Sequence, residues 1–113
     1  MSVTVVNEWW FKQDADIEKG KKVASKLVDD FNNNWSSVQL SLWIEDRSDP
    51  LHHFHITVFD DIEAVMQIRE SEGIQRFIEK FWPLIVRDET YKSPACDVWL
   101  CDTNNIKEIR QEQ

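Results

Sequence analysis

The stretch "SVQLSLWIEDRSDPLHHFHITVFDD", residues 37–61, reads as two strands and the turn between them. Val38, Leu40, Leu42 and Ile44 alternate with Gln39, Ser41, Trp43 and Glu45, the period-two pattern of a half-buried strand. "DRSDP", Asp46 to Pro50, is a turn by composition, because Asp, Ser and Pro each favour chain reversal. "HHFHITVF" returns from it, with Phe54, Ile56 and Val58 on one face and His53, His55, Thr57 and Phe59 on the other. An antiparallel hairpin is therefore expected, and it needs further elements to cover its apolar positions.

The flanking sequence supplies them. "VTVVNEWWFK", Val3 to Lys12, is β-branched and aromatic, with Val3, Val5, Asn7, Trp9 and Phe11 on one side and Thr4, Val6, Glu8 and Trp10 on the other. Apolar residues on both sides mark a central strand. Asp14 or Asp16 is a capping candidate for a helix in which Ile17, Ala24, Leu27, Val28 and Phe31 recur at helical spacing. Gly20 weakens that helix, and "NNNW", Asn32 to Trp35, is expected to end it because Asn tolerates the left-handed conformation. Asp60 or Asp61 caps a second helix with Ile62, Val65, Met66 and Arg69 on one stripe. It restarts at Ser71 after a jog near Glu72 and Gly73, burying Ile74, Phe77, Ile78, Phe81 and Ile85, and Pro83 ends or kinks it. "ACDVWLCD", Ala95 to Asp102, reads as a fourth strand.

The resulting order is β-α-β-β-α-β. It predicts an α+β, ferredoxin-like fold: a four-stranded antiparallel sheet with the first strand beside the third and helices on one face. A single domain over 1–103 and a polar tail over 104–113 are expected. The face away from the helices, rich in Trp and Phe or in Val and Leu depending on strand phase, would be open in a monomer, so a homodimer or higher homo-oligomer is expected, with Trp10 and Trp43 as candidates for that face.

Composition narrows the partners. Six Trp and six Phe beside two Gly and three Pro describe a compact, loop-poor domain, and a net charge of -8 opposes nucleic acid and anionic membranes. No long apolar run or secretory leader is visible, which predicts a cytoplasmic chain. Cys96 and Cys101, five apart on one strand, fall on opposite faces and read as buried thiols.

The pattern resembles the dimeric α/β-barrel superfamily, in particular the antibiotic-biosynthesis-monooxygenase-like proteins. The resemblance is carried by "VTVVNEWWFK", by "IEDRSDPLHHFHITVFDDIEAV" and by the split helix "SEGIQRFIEKFWPLI", and it covers Val3 to Asp102. It implies a ligand site between helices and sheet and, in some members, oxidation of aromatic molecules without a cofactor. The haem-degrading branch of the superfamily carries an Asn on the first strand and a Trp and a His on the split helix. Asn7 matches the first, but Ile68 and Ile78 occupy the other two places, so haem degradation is disfavoured.

His53 and His55, two apart on a strand, share a face, which is the spacing that brings two imidazoles to one metal; Glu8 on the neighbouring strand is a conceivable third ligand. No stronger ligand cluster accompanies them, so no metal is expected. His52 points the other way and is expected to be solvated. Asn7 is a lone amide in an apolar strand face and must find a partner or a ligand. Arg69 and Arg76 are expected to pair with Glu70, Glu72 or Glu79 across helical turns. Two functions remain open. One is a small monooxygenase-like protein that binds a flat apolar molecule, aromatic or quinone-like. Its candidate catalytic residues are Asn7 and His55, its ligand-binding residues Trp9, Trp43, His53, Ile68, Ile78 and Trp82, and it uses no cofactor. The other is a non-catalytic binding or assembly module whose cavity is filled by its own side chains. An open cavity of roughly 300 Å³ or more separates the two.

Overall fold

The computed structural model describes residues 2–86 and, as backbone, residues 98–102. Strand β1 (Val3–Trp10) leads to helix α1 (Ile17–Asn34), the hairpin β2 (Val38–Asp46) and β3 (Asp49–Phe59), helices α2 (Ile62–Arg69) and α3 (Glu72–Phe81), a 3-10 turn at Trp82–Leu84, and strand β4 (Val98–Asp102). The sheet order is β2-β3-β1-β4 with every neighbour antiparallel. The expected α+β, ferredoxin-like fold, with its helices on one face of the sheet, is the fold found. Cys96, the start of the expected fourth strand and the tail at 104–113 lie outside the described residues. No helix among the described residues is long and apolar enough to cross a membrane.

The hairpin turn is tighter than expected. Asp46 pairs with Asp49, leaving Arg47 and Ser48 as the loop, and Asp46 Oδ1 accepts from Ser48 N at 2.8 Å and from Ser48 Oγ at 2.7 Å. These bonds hold the Asp46 carboxyl at about 2, well below its usual value, with the Ser48 hydroxyl the largest cause and His52 the next. Pro50 falls within the first residues of β3, where a missing N–H is tolerated.

A register shift between Val38 and Leu40 corrects the reading of β2. Val38 opposes Phe59 and Leu40 opposes Val58, so Gln39 is an extra residue and the alternation changes phase there. Val38, Ser41 and Trp43 consequently face the helices, while Leu40, Leu42 and Ile44 face outward at 46%, 43% and 43% exposure. Trp10 lies on the open face as expected, but Trp43 does not. It packs under the helices against Phe77 and Phe81, with ring centroids 6.4 and 5.4 Å away.

The helix boundaries follow local chemistry. Asp16 caps α1 by accepting from Lys19 N at 3.1 Å, and Asp61 caps α2 by accepting from Ala64 N at 2.8 Å. Helix α1 continues through Asn32 to Asn34 and ends on Trp35 in extended geometry, φ -119°, so no left-handed residue is used. The break in the second helical segment falls at Glu70 and Ser71, slightly before the expected jog. Ser71 Oγ donates to Ile68 O at 2.6 Å and receives Ile74 N at 3.4 Å, which closes α2 and opens α3. The buried stripe of α2 is Ala64, Val65 and Ile68, whereas Ile62 and Met66 are exposed.

Candidate functional site

Three histidines on one strand have three different environments. His53 is fully buried and both ring nitrogens are used: Nε2 donates to Pro50 O at 2.9 Å and Nδ1 accepts from Trp43 Nε1 at 3.0 Å. Burial pushes its pKa down, against a smaller opposing pull from the Pro50 carbonyl. It braces the hairpin and has no nitrogen to spare. His52 lies on the opposite face and is not the solvated residue expected, its side chain being 15% exposed. Its Nε2 meets Glu8 Oε1 at 2.6 Å, its Nδ1 meets Asp46 Oδ2 at 2.9 Å, and its ring stacks on Trp10 at 4.4 Å. Burial works against its charged form, but the bonds to Asp46 and Glu8 outweigh it and raise the pKa. Glu8 is therefore committed to His52 on the face away from His53 and His55, so the three-ligand arrangement conceived from the sequence does not form.

His55 is the residue with chemistry left over. Its Nε2 lies 2.7 Å from Ser41 Oγ and 3.1 Å from Thr57 Oγ1, and the two hydroxyls are 3.3 Å apart. Burial pushes its pKa down to about 4, so the ring is neutral near pH 7. Hydrogen counting then selects the tautomer. Two hydroxyl hydrogens need two acceptors within this triangle, and a protonated Nε2 would leave one of them stranded. The satisfied arrangement has Nε2 accepting and the proton on Nδ1. Among the described residues Nδ1 has no hydrogen-bond partner, so it is a neutral donor. Phe31 and Trp43 flank the ring, each with its centroid 5.4 Å away.

Asn32 fixes this arrangement from outside the sheet. Strand β2 is an edge, and the Asn32 side chain takes the place of a neighbouring strand there: Nδ2 donates to Ser41 O at 3.0 Å and Oδ1 accepts from Ser41 N at 2.8 Å. The helix-end residue thereby sets where the Ser41 hydroxyl sits.

Directly across from His55 in the β1–β3 register is Asn7. Its side-chain amide makes no hydrogen bond to another described residue. Both residues line a cavity of about 440 Å³ between the sheet and the helices. Trp9, Ile68, Ile78 and Trp82 line it as well, so six of the eight residues singled out from the sequence are brought together. Trp43 and His53 are not. They bond to each other, and Trp43 stacks on the His55 ring. Sequence reasoning missed the apolar wall from α1 and α2, Leu27, Phe31 and Val65, and also Ser41, Thr57 and Asn32. The signal for Ser41 and Thr57 was their place on the His55 face of adjacent strands; Asn32 left no local signal, because its partner is nine residues away. Arg69 stands exposed at the cavity rim without an ion pair among the described residues, whereas Arg76 does reach Glu72 at 3.4 Å.

No family model matches the sequence, and no curated protein matches it. Solved structures do match. A conserved protein from Methanosarcina mazei Go1 superposes with a TM-score of 0.75 at 8% identity, covering 89% of this chain and 91% of its own. An antibiotic biosynthesis monooxygenase gives 0.73 at 17% identity, covering 90% and 97%. SnoaB, a cofactor-independent oxygenase from Streptomyces nogalater, gives 0.72 at 14% identity, covering 89% and 91%. The resemblance drawn from the sequence thus holds at the level of fold. The chain has the ferredoxin-type α+β fold seen in these structures.

Proposed function

We propose that the protein is a small oxygenase that binds a flat, apolar, aromatic or quinone-like molecule in the cavity between helices and sheet, with an oxygen of that molecule held by Asn7 and His55. The observation that carries this reading is the pairing of the Asn7 amide and His55 Nδ1, side by side in the cavity and unpartnered among the described residues. The other walls are mostly Trp, Phe, Ile, Leu and Val, with Thr57, the rim Arg69 and Trp9 Nε1, also unpartnered among the described residues, as the further polar groups. Such a site stabilises negative charge on a substrate oxygen, because fixed donors in a dry environment need no reorganisation when the charge develops. The ring CH₂, acidified by the ring carbonyl, gives its proton to solvent water, and the substrate anion then reacts with dioxygen itself. In the simplest case a ring CH₂ becomes C=O, one oxygen atom entering the ring and the other leaving as water, with all electrons supplied by the substrate. His55 acts as a donor and not as a base, since its low pKa and its tautomer leave a proton on the nitrogen without a protein partner.

The size of the cavity supports an occupied site over a self-filled module, being above the roughly 300 Å³ at which small-molecule sites begin. The fold likeness to a cofactor-independent oxygenase supports the same reading. The working unit in this proposal is a homodimer joined through the open faces of two sheets.

The test uses 1,8-dihydroxyanthrone, a flat molecule with an oxidisable ring CH₂, followed by dioxygen uptake and by anaerobic calorimetry. Wild-type protein should bind it and accelerate uptake. Removing a charge-stabilising donor costs about 10²-fold in such sites, and Asn7→Ala and His55→Ala are each expected to lose at least tenfold. A crystal complex with the anthrone seated solely on the open sheet face would overturn the site. Binding in the cavity with uptake no faster than in buffer would overturn the enzyme and leave a binding protein.

A further inference from the structure

A second cavity, about 320 Å³, runs along the outer side of the helix layer between α1 and α3. Its charge is the reverse of the molecule's. The chain carries -8 overall, yet Lys22 and Lys26 line this groove from α1 and Arg76 and Lys80 line it from α3, against one carboxylate, Asp30. Each helix contributes its two cations at i and i+4, a like-charge spacing that works against the helix carrying it. Little on the protein neutralises them. Among the described residues Lys22, Lys26 and Lys80 have no ion pair, and the Arg76–Glu72 contact at 3.4 Å joins two largely exposed side chains, a weak tie in water. Asp30 is itself engaged, accepting from Asn34 Nδ2 at 2.7 Å.

The groove has an apolar floor. Val23, Leu27 and Phe77 form it, and Leu27 and Phe77 are buried residues that also wall the inner cavity from its other side. A ligand for this place must satisfy both features, cations at the rim and hydrocarbon below.

We infer that this groove binds a soluble anionic amphiphile, its carboxylate or phosphate held between the cations of α1 and α3 and its hydrocarbon on the Val23–Leu27–Phe77 floor. The inference does not rest on the oxygenase reading of the inner cavity. Charge complementarity selects the ligand, because the net charge of -8 on the whole chain opposes an extended anionic membrane, whereas a single small anion meets mainly the four cations of the groove.

Calorimetric titration with sodium decanoate and with decyl phosphate, each below its micelle concentration, tests it, with decyltrimethylammonium as the opposite-charge control. Binding of at least one anion and none of the cation is expected. The affinity should fall several-fold between about 20 mM and about 300 mM salt, as screening of rim charges requires. The double variants Lys22→Gln/Lys26→Gln and Arg76→Gln/Lys80→Gln should each weaken binding by about tenfold, whereas Asn7→Ala should leave it unchanged. Absence of binding by both anions, equal binding of the cation, loss of binding in Asn7→Ala, or a preference for anionic vesicles over the monomeric probes would each overturn the groove. Anthrone binding in the same double variants reports separately on the inner cavity.

Discussion

At the scale of single residues, His55 and His52 give stability opposite pH dependences. His55 has a pKa of about 4 in the folded protein against 6.5 for the free side chain, so between those values the unfolded chain binds the proton and the folded one does not. Stability contributed by keeping the ring neutral is therefore present above about pH 6.5 and lost as the pH falls toward 4, with a slope approaching about 1.4 kcal/mol per pH unit and a total on the order of 3 kcal/mol. His52 runs the other way. Its folded pKa is raised, so its contribution is present below 6.5 and lost as the pH rises through the folded value. Asp46, held at about 2, begins to matter only below its ordinary value of 3.8. Because His53 is also pushed down and His52 is raised in the same range, His55 is isolated by the difference between wild type and variant in urea unfolding from about pH 7 to pH 4.5. Wild type is expected to weaken toward the acid end of that range, while His55→Gln, which keeps an acceptor for the Ser41 hydroxyl and cannot charge, should lose the part of the slope that His55 supplies and keep that of His53. An equal slope in the variant would show that the ring is not buried neutral, and with it the tautomer argument would go.

At the scale of elements, Gly20 and Gln39 show where sequence reading succeeds and where it stops. The period of 3.6 in α1 and of 2 in β2 and β3 was legible because both record one-sided burial. The caps were legible to within one of two carboxylates, Asp14 or Asp16 and Asp60 or Asp61, with Ser71 read singly, because a short side chain bonding its own helix is a local event. Gln39 was not legible. The bulge at that position is a property of the β2–β3 pairing and changes the phase of β2, so Val38, read on one face with Leu40, Leu42 and Ile44, turns inward while those three turn outward. The candidate site was legible to the extent that it depends on strand parity, which put Asn7, Trp9 and His55 on one face. Which aromatic residues line the cavity and which stand behind them depends on three-dimensional packing, and so Trp43 and His53 were misplaced. Gly20 presents the same limit. By helix propensity alone it is a weak point that Ala would improve by about 1 kcal/mol. In the structure a Cβ there would meet the Phe11 ring, with Cζ at 2.7 Å and Cε1 nearer still. Phe11 cannot yield easily, since it is almost fully buried and its ring meets His53 and Phe81 edge-on. Overpacking of this kind costs about 1–3 kcal/mol, more than the propensity gain. Gly20→Ala should therefore lower the melting temperature; a rise would mean that α1 stands off from Phe11 in solution.

At the scale of the whole molecule, the unanswered demand is the outer face of the sheet. The register stacks its residues in rows across three strands: Val6, Ile56 and Leu42 in one, Glu8, Phe54 and Ile44 in the next, with Trp10 and His52 beyond them. Leu40, Leu42 and Ile44 stand more than 40% exposed in the single chain, which is unusual for three consecutive same-face residues of a strand. In the homodimer proposed above, a second copy of the same face would cover these rows by two-fold symmetry, with the His52–Glu8–Asp46 cluster toward one end of the patch. At about 25 cal/mol per Å², burying roughly 600 Å² of apolar surface on each subunit favours association by about 15 kcal/mol per partner before rigid-body entropy is subtracted, enough to survive that subtraction. Sedimentation of the wild-type protein at micromolar concentration should accordingly give twice the chain mass. Leu42→Glu sits in the middle of the patch and touches none of the cavity residues, so it should yield monomer or aggregate in sedimentation while Trp43, on the other face of the same strand, keeps its buried near-ultraviolet signal. Trp10→Glu should act in the same direction with a further loss, because the His52 ring stacked on that indole would lose its cover. A wild-type chain that sediments as a well-folded monomer at those concentrations would require the open face to be covered by something other than its own copy, and the homodimer would have to be withdrawn.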